Sequence, residues 1–146
     1  MTEGLSLRIS TKDDIEIIHS IYQSEIGSSW TYDDFDKKRT DTHHRIYSIC
    51  INEACIGFII LQVILPEADL LNIAIHKDFQ SKGYGTEVLK NITDLMKRSG
   101  VQKIFLEVRA QSAAVCFYER NGFKKIDTRK KYYNNIEDAI IMQYLV

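Results

Sequence analysis

Three stretches of this 146-residue chain hold residue types at spacings that can do chemistry. The first is Gln80-Ser81-Lys82-Gly83-Tyr84-Gly85-Thr86, between an apolar run and a segment with helical periodicity. Glycines at 83 and 85 let the backbone adopt left-handed angles and let a ligand approach closely. The first amides of a helix have no partner within it, and the helix dipole places partial positive charge at the same spot. A pyrophosphate would satisfy both. The pattern is neither a Walker loop, which needs Gly-Lys-Ser/Thr, nor a dinucleotide fingerprint, which needs three glycines at other spacings. On spacing alone, an ordinary glycine-bearing turn accounts for it better.

The second stretch is Ile104-Phe105-Leu106-Glu107-Val108, an apolar strand interrupted by one carboxylate. Burying that group is costly unless a cleft or a hydrogen bond receives it. A general base and an outward-facing glutamate on an alternating strand fit it equally well. The third is Tyr118, in a helical segment ending at Asn121-Gly122. A phenol of pKa about 10 is protonated at neutral pH and can donate to a leaving group, although most helix tyrosines are core aromatics. His43-His44 before Cys50 and Cys55 match no common zinc spacing, so no metal is expected. Cys116 reads as a small core residue.

The elements that must position these groups follow from periodicity. Leu5, Leu7 and Ile9 alternate as a half-buried strand, and Thr11 opens a helix whose buried stripe is Ile15, Ile18, Tyr22 and Ile26. A short helix follows Thr31. Ile46 to Ile51 and Cys55 to Leu65 read as a hairpin turning at Asn52-Glu53, and Leu70 to Ile75 as a further strand. Val88, Leu89, Ile92, Leu95 and Met96 define a helix capped by Gly100. A strand over 104–108, a helix over 113–120, a further strand and a final strand over 139–145 complete the order β-α-α-β-β-β-α-β-α-β-β. That is an α+β chain.

Length predicts one domain spanning residues 1–146. Nineteen Lys and Arg against twenty Asp and Glu leave a net charge of −1, so no global field draws in nucleic acid or an anionic membrane. Arg129-Lys130-Lys131 is too short a basic run to change that reading. The longest apolar run, over 54–65, contains Gly57 and Gln62 and is shorter than the ~20 residues of a membrane span. The N-terminus has no signal-peptide pattern, and three cysteines without CxxC argue against a disulfide framework. These features predict a cytoplasmic protein, monomeric or weakly dimeric.

Context changes the weight of the glycine loop. Gln-x-x-Gly-x-Gly after Leu70-Leu71-Asn72-Ile73-Ala74-Ile75 resembles the cofactor motif of the GNAT family of N-acetyltransferases. The resemblance extends through Leu106-Glu107-Val108-Arg109, Phe117-Tyr118-Glu119, Asn121-Gly122-Phe123, Tyr132-Tyr133 and Glu137-Asp138-Ala139-Ile140-Ile141-Met142. Together these are similar to the ribosomal-protein alanine N-acetyltransferase (RimI) branch, as is Ser29-Trp30-Thr31, with Ser29 where that branch has proline.

The resemblance implies an α/β/α layered fold with a mixed sheet of about seven strands, splayed between the fourth and fifth, and about four helices. It implies acetyl-CoA as cosubstrate, its pyrophosphate held at Ser81, Lys82, Gly83, Tyr84, Gly85 and Thr86, and its carbonyl facing the amides of Ile73, Ala74 or Ile75. Glu107 becomes the general base and Tyr118 the general acid, while Trp30, Tyr132 and Tyr133 contact the acceptor. Ser112 stands where the family has a coenzyme-contacting Asn, after a loop one residue shorter. The acceptor implied is a protein N-terminus, by resemblance an alanine of a small-subunit ribosomal protein. The alternatives are a lysine or polyamine-like amine, and a module that binds acetyl-CoA without turnover.

Overall fold

Seven strands build a single mixed sheet, with two helices over half of one face and a long and a short helix on the other. The computed structural model describes residues 4–133 and 137–146, with the Tyr133 side chain outside that description. Strand β1 (Leu5–Ile9) precedes α1 (Ile15–Glu25) and α2 (Tyr32–Thr40). Strands β2 (His44–Ile51), β3 (Ala54–Ile64) and β4 (Glu67–Ile75) form an antiparallel meander, followed by α3 (Tyr84–Arg98). Then come β5 (Lys103–Arg109), α4 (Ala114–Arg120), β6 (Lys124–Tyr133) and β7 (Glu137–Leu145). The strand order is β1-β2-β3-β4-β5-β7-β6, and β4 runs parallel to β5. The seven strands, four helices and their sequence order are those predicted. No helix among the described residues is long and apolar enough to cross a membrane.

The sheet is open at its centre. Strands β4 and β5 pair only where Glu67, Ala68 and Asp69 face Lys103, Ile104 and Phe105. Beyond Asp69 the two strands continue, to Ile75 and Arg109, without pairing. The cause lies on the other side of β4. Ile60 pairs with Asn72 but Leu61 pairs with Leu70, which leaves Leu71 as an extra residue. Such a bulge bends its strand and increases the local twist, turning the far half of β4 away from β5.

Two cores result. On one face Val88, Leu89, Ile92 and Met96 of α3 pack against Ile59 and Leu61 of β3, Ile104 and Leu106 of β5, and Met142 of β7. On the other, Ile15, Ile18 and Tyr22 of α1 and Phe35 of α2 cover Ile46, Phe58, Ile60 and Ala74. Helices α1 and α2 therefore cover the β2–β4 half of their face and leave the β5–β7 half open.

Local differences from the predicted elements have physical causes. A 3-10 turn over Lys12–Asp14 precedes α1. The Thr11 amide donates to the Asp14 carboxylate at 2.9 Å, and both oxygens of that buried group also take Arg8. Ile26, expected in the buried stripe, is exposed because α1 ends at Glu25. Strand β4 begins three residues before Leu70, directly after a turn at Leu65-Pro66. Tyr132 and Tyr133, expected in a connection, are the last residues of β6.

Gly57 fixes the position of the open half of β4. It pairs with Ile75, and a Cβ there would lie 2.4 Å from the Ala74 carbonyl oxygen and 3.1 Å from the Ile75 Cα. Neither atom belongs to a flexible side chain, so Gly57→Ala must push the strand end outward. The substitution should cost about 1–3 kcal/mol, as overpacking does. Urea unfolding measures it, and an unchanged midpoint would show that β4 has room there.

Candidate active site

The loop after β4 supplies the first wall. Gly83 takes φ +83° as the residue before α3, and nothing lies within 4 Å of where its Cβ would be. Ser81 also adopts a left-handed angle, φ +62°. Gly85, expected to be left-handed as well, lies within α3. Its glycine is needed for proximity, since a Cβ would sit 3.1 Å from Cζ of the Phe117 ring. The Glu87 amide donates to the Gly83 carbonyl at 3.3 Å, starting the intrahelical ladder. The amides of the turn before it point out of the helix end, with the positive end of the dipole behind them.

This helix end opens into a cavity of about 730 Å³ lined by Ile73, Ala74 and Ile75 of β4, by Ser81 and residues 83–86, by Phe117, Tyr118 and Arg120 of α4, and by Glu25 and Ile26. The size is within the range of roughly 300–1,000 Å³ usual for small-molecule sites. Of the predicted cofactor residues, the fold brings together Ile73, Ala74, Ile75, Ser81, Gly83, Tyr84, Gly85 and Thr86. Lys82 is beside the cavity, its Nζ 5.9 Å from the Phe79 ring centre. Ser112 is not in the lining, where Ala113 and Ala114 stand instead; its Oγ accepts from the Ala114 amide at 3.1 Å.

Tyr118 is 8% exposed and forms part of the cavity wall, with its ring between Phe117 and Phe123. Burial pushes its phenol up to about 12. The group therefore holds its proton throughout the neutral and moderately alkaline range, as a proton donor must.

Glu107 occupies the opposite side of the same opening. Ile104, Leu106 and Val108 face the α3 core, so the alternation of β5 directs Glu107 to the uncovered face. Its Oε1 lies 3.4 Å from Nη1 of Arg129, whose guanidinium carbon is 4.9 Å from the centre of the exposed Tyr132 ring. Trp30 is not in the cavity lining. It packs on Tyr22 and Phe35, with Lys38 4.6 Å above its ring, and its amide donates to the Tyr22 hydroxyl.

Sequence reasoning missed a polar bridge. Gln80 Nε2 donates to the Ile75 carbonyl at 2.7 Å and to Glu25 Oε1 at 2.9 Å, tying the end of β4 to the end of α1. The glutamine stood in the motif, but nothing in the sequence indicated a partner so far away. Phe117 and Arg120 were also unassigned, although their spacing beside Tyr118 on one short helix was available as a signal. Among the described residues no group of His, Cys, Asp and Glu is placed to hold a metal ion.

The model of the acetyltransferase (GNAT) family matches residues 15–123. Over 133 residues the chain is 33% identical to a [ribosomal protein bS18]-alanine N-acetyltransferase of Haemophilus influenzae, covering 88% of this chain and 90% of that one. It is 34% identical to the protein of the same description from Escherichia coli strain K12, covering 88% and 89%. The crystal structure of the ribosomal-protein-S18-alanine N-acetyltransferase from Escherichia coli matches with a TM-score of 0.88 and 31% identity, covering 97% of this chain and 94% of that one.

The state of Tyr118 can be read directly. In an ultraviolet titration of the folded protein, Tyr118→Phe should remove a phenolate phase near pH 12. Loss of a phase near pH 10 in Tyr118→Phe, with the phases near pH 12 unchanged, would contradict the burial argument.

Proposed function

The chain belongs to the acetyltransferase (GNAT) family and is an acetyl-CoA-dependent N-acetyltransferase; from that premise we propose that it acetylates a protein N-terminus, the N-terminal alanine of a small-subunit ribosomal protein. The observation that carries the proposal is the opening between β4 and β5, with a cavity and a protonated phenol on one side and an exposed carboxylate on the other. The two relatives named for ribosomal protein bS18 support the choice of acceptor.

The residues present suit acetyl-CoA. The open space at Gly83 leaves room for a diphosphate against the amides that begin α3, and Lys82 and Arg120 add positive charge nearby. The cosubstrate brings an activated thioester carbonyl. Amides of Ile73, Ala74 or Ile75 receive the oxygen of that carbonyl as it gains charge, a contact whose removal costs about 2.7–4 kcal/mol in comparable sites. Glu107 takes a proton from the incoming amine and Tyr118 gives one to the departing sulfur. Tyr132 and Tyr133, at the end of β6, are assigned to the acceptor peptide. Trp30 contributes from behind, by holding the segment after α1 against Tyr22.

An α-amine of pKa about 7.7–8.0 asks less of a carboxylate base than a lysine at about 10.4. The protein should therefore acetylate an Ala-initiated peptide faster than its N-blocked, Lys-containing counterpart or spermidine. Glu107→Gln should keep acetyl-CoA binding and slow transfer by about 10²–10⁴-fold, most strongly at low pH where the amine is protonated. Preference for lysine or spermidine would overturn the acceptor class, and an unchanged rate would remove Glu107 as base.

A further inference from the structure

Cys50 on β2 and Cys55 on β3 stand opposite one another across the hairpin. Its two-residue turn, Asn52-Glu53, has positive φ at both positions, and Ile51 pairs with Ala54 to close it. A turn of that kind makes Ile51 and Ala54 the hydrogen-bonded pair, so Cys50 and Cys55 form the non-hydrogen-bonded pair that follows. Such residues have Cα atoms about 4.5 Å apart and side chains at their closest. That separation lies within the roughly 4.4–6.8 Å that a disulfide bridges. Both side chains face α1. Cys55 packs against the α1–α2 core, and Cys50 interacts with the Arg8 guanidinium that also holds Asp14. The two thiols are free, and they differ in access. Cys50 is 1% exposed, whereas Cys55 lines a second cavity, of about 390 Å³, between Ile17 and Ser20 of α1 and His76 and Phe79 after β4.

We propose that Cys50 and Cys55 are an oxidation site: a peroxide converts them to a cross-strand disulfide, and the disulfide weakens acetyl-CoA binding at the end of β4. Cys55, the sulfur open to the cavity, reacts first. Its thiolate attacks hydrogen peroxide; the S–O bond of a sulfenic acid forms, the O–O bond breaks and hydroxide leaves. Cys50, whose thiolate the Arg8 guanidinium favours, then attacks the Cys55 sulfur. The S–S bond forms, the S–O bond breaks and a second hydroxide leaves. The two thiol protons turn both hydroxides into water, so the sulfurs are oxidised and the peroxide is reduced. Burial pushes the Cys55 thiol up, which keeps most of it protonated at neutral pH and makes the first step slow.

The effect reaches β4 through Gly57. Cys55 Sγ donates to the Gly57 carbonyl at 3.4 Å, and a disulfide sulfur has no proton to give. Gly57 is where β3 presses on Ala74 and Ile75, and beside it the His76 amide donates to the Ile56 carbonyl at 2.7 Å. Drawing Cys55 towards β2 therefore moves the residues that set the open end of β4, where Ala74 and Ile75 line the main cavity. This coupling rests on the acetyl-CoA reading above.

The test uses the full chain with Cys116→Ser, which removes the exposed third thiol, treated with excess hydrogen peroxide and then with dithiothreitol. A glutamate-specific protease cuts between the two cysteines at Glu53, and mass spectrometry should find the resulting segments joined until they are reduced. Calorimetry should show the oxidised protein binding acetyl-CoA at least about fivefold more weakly, with recovery after dithiothreitol. That reagent reopens a disulfide but leaves methionine sulfoxide in place, so recovery separates the cysteine pair from Met96 and Met142. Cys50→Ala should show no loss of affinity that dithiothreitol reverses. Unjoined segments after oxidation, or a disulfide that leaves acetyl-CoA affinity unchanged, would overturn the inference while leaving the transferase reading in place. A reduced protein that binds no acetyl-CoA would overturn the cofactor reading, and the coupling with it.

Discussion

One extra residue governs the molecule. Because Leu71 has no partner on β3, the parallel ladder between β4 and β5 ends after Asp69 instead of running the length of both strands. A closed ladder would occupy the β4 backbone with β5 carbonyls and amides. The open one leaves polar main-chain groups of Ile73–Ile75 beside a cavity. Unpaired backbone groups are costly where water is excluded, so such an edge persists in a core only if a ligand or solvent can reach it. The interruption of the sheet is thus the condition for the site.

The rest of the structure stabilises that interruption and gives it two different sides. Gly57 lets β3 approach the far end of β4 closely, where any Cβ would press on the Ala74 carbonyl oxygen. Gln80 ties the Ile75 carbonyl to Glu25 and links the loop before α3 to the end of α1. On the cavity side, burial keeps the Tyr118 phenol protonated. On the uncovered side, carboxylates and arginines share an exposed surface, with Glu107 held by Arg129. The phenol and the carboxylate are thereby kept in separate environments, one buried and one exposed.

Much of this was legible in the sequence because the relevant signals are local. The α3 stripe at Val88, Leu89, Ile92 and Met96, the alternation around Glu107 and the glycine at 83 each declare themselves within a few residues. The Asn52-Glu53 turn was legible too, and both residues take positive φ. What escaped depends on distant parts of the chain. The bridge from Gln80 to Glu25 spans 55 positions, and the end of the β4–β5 ladder at Asp69 and Phe105 exists only once that register is fixed. Gly85 reads equally as a left-handed and as a close-approach glycine, and only the position of Phe117 decides for closeness. Ile26 fitted the helical period but fell beyond the last turn of α1.

The central claim is that acetyl-CoA lies along the opened edge of β4 with its diphosphate at the start of α3. Amide hydrogen exchange with and without acetyl-CoA tests it most directly, because the groups in question are main-chain N–H. The account predicts slowed exchange at residues 73–75 and 81–86, with β1 and β2 unaffected. Unchanged exchange at both segments, or protection confined to another part of the molecule, would contradict it.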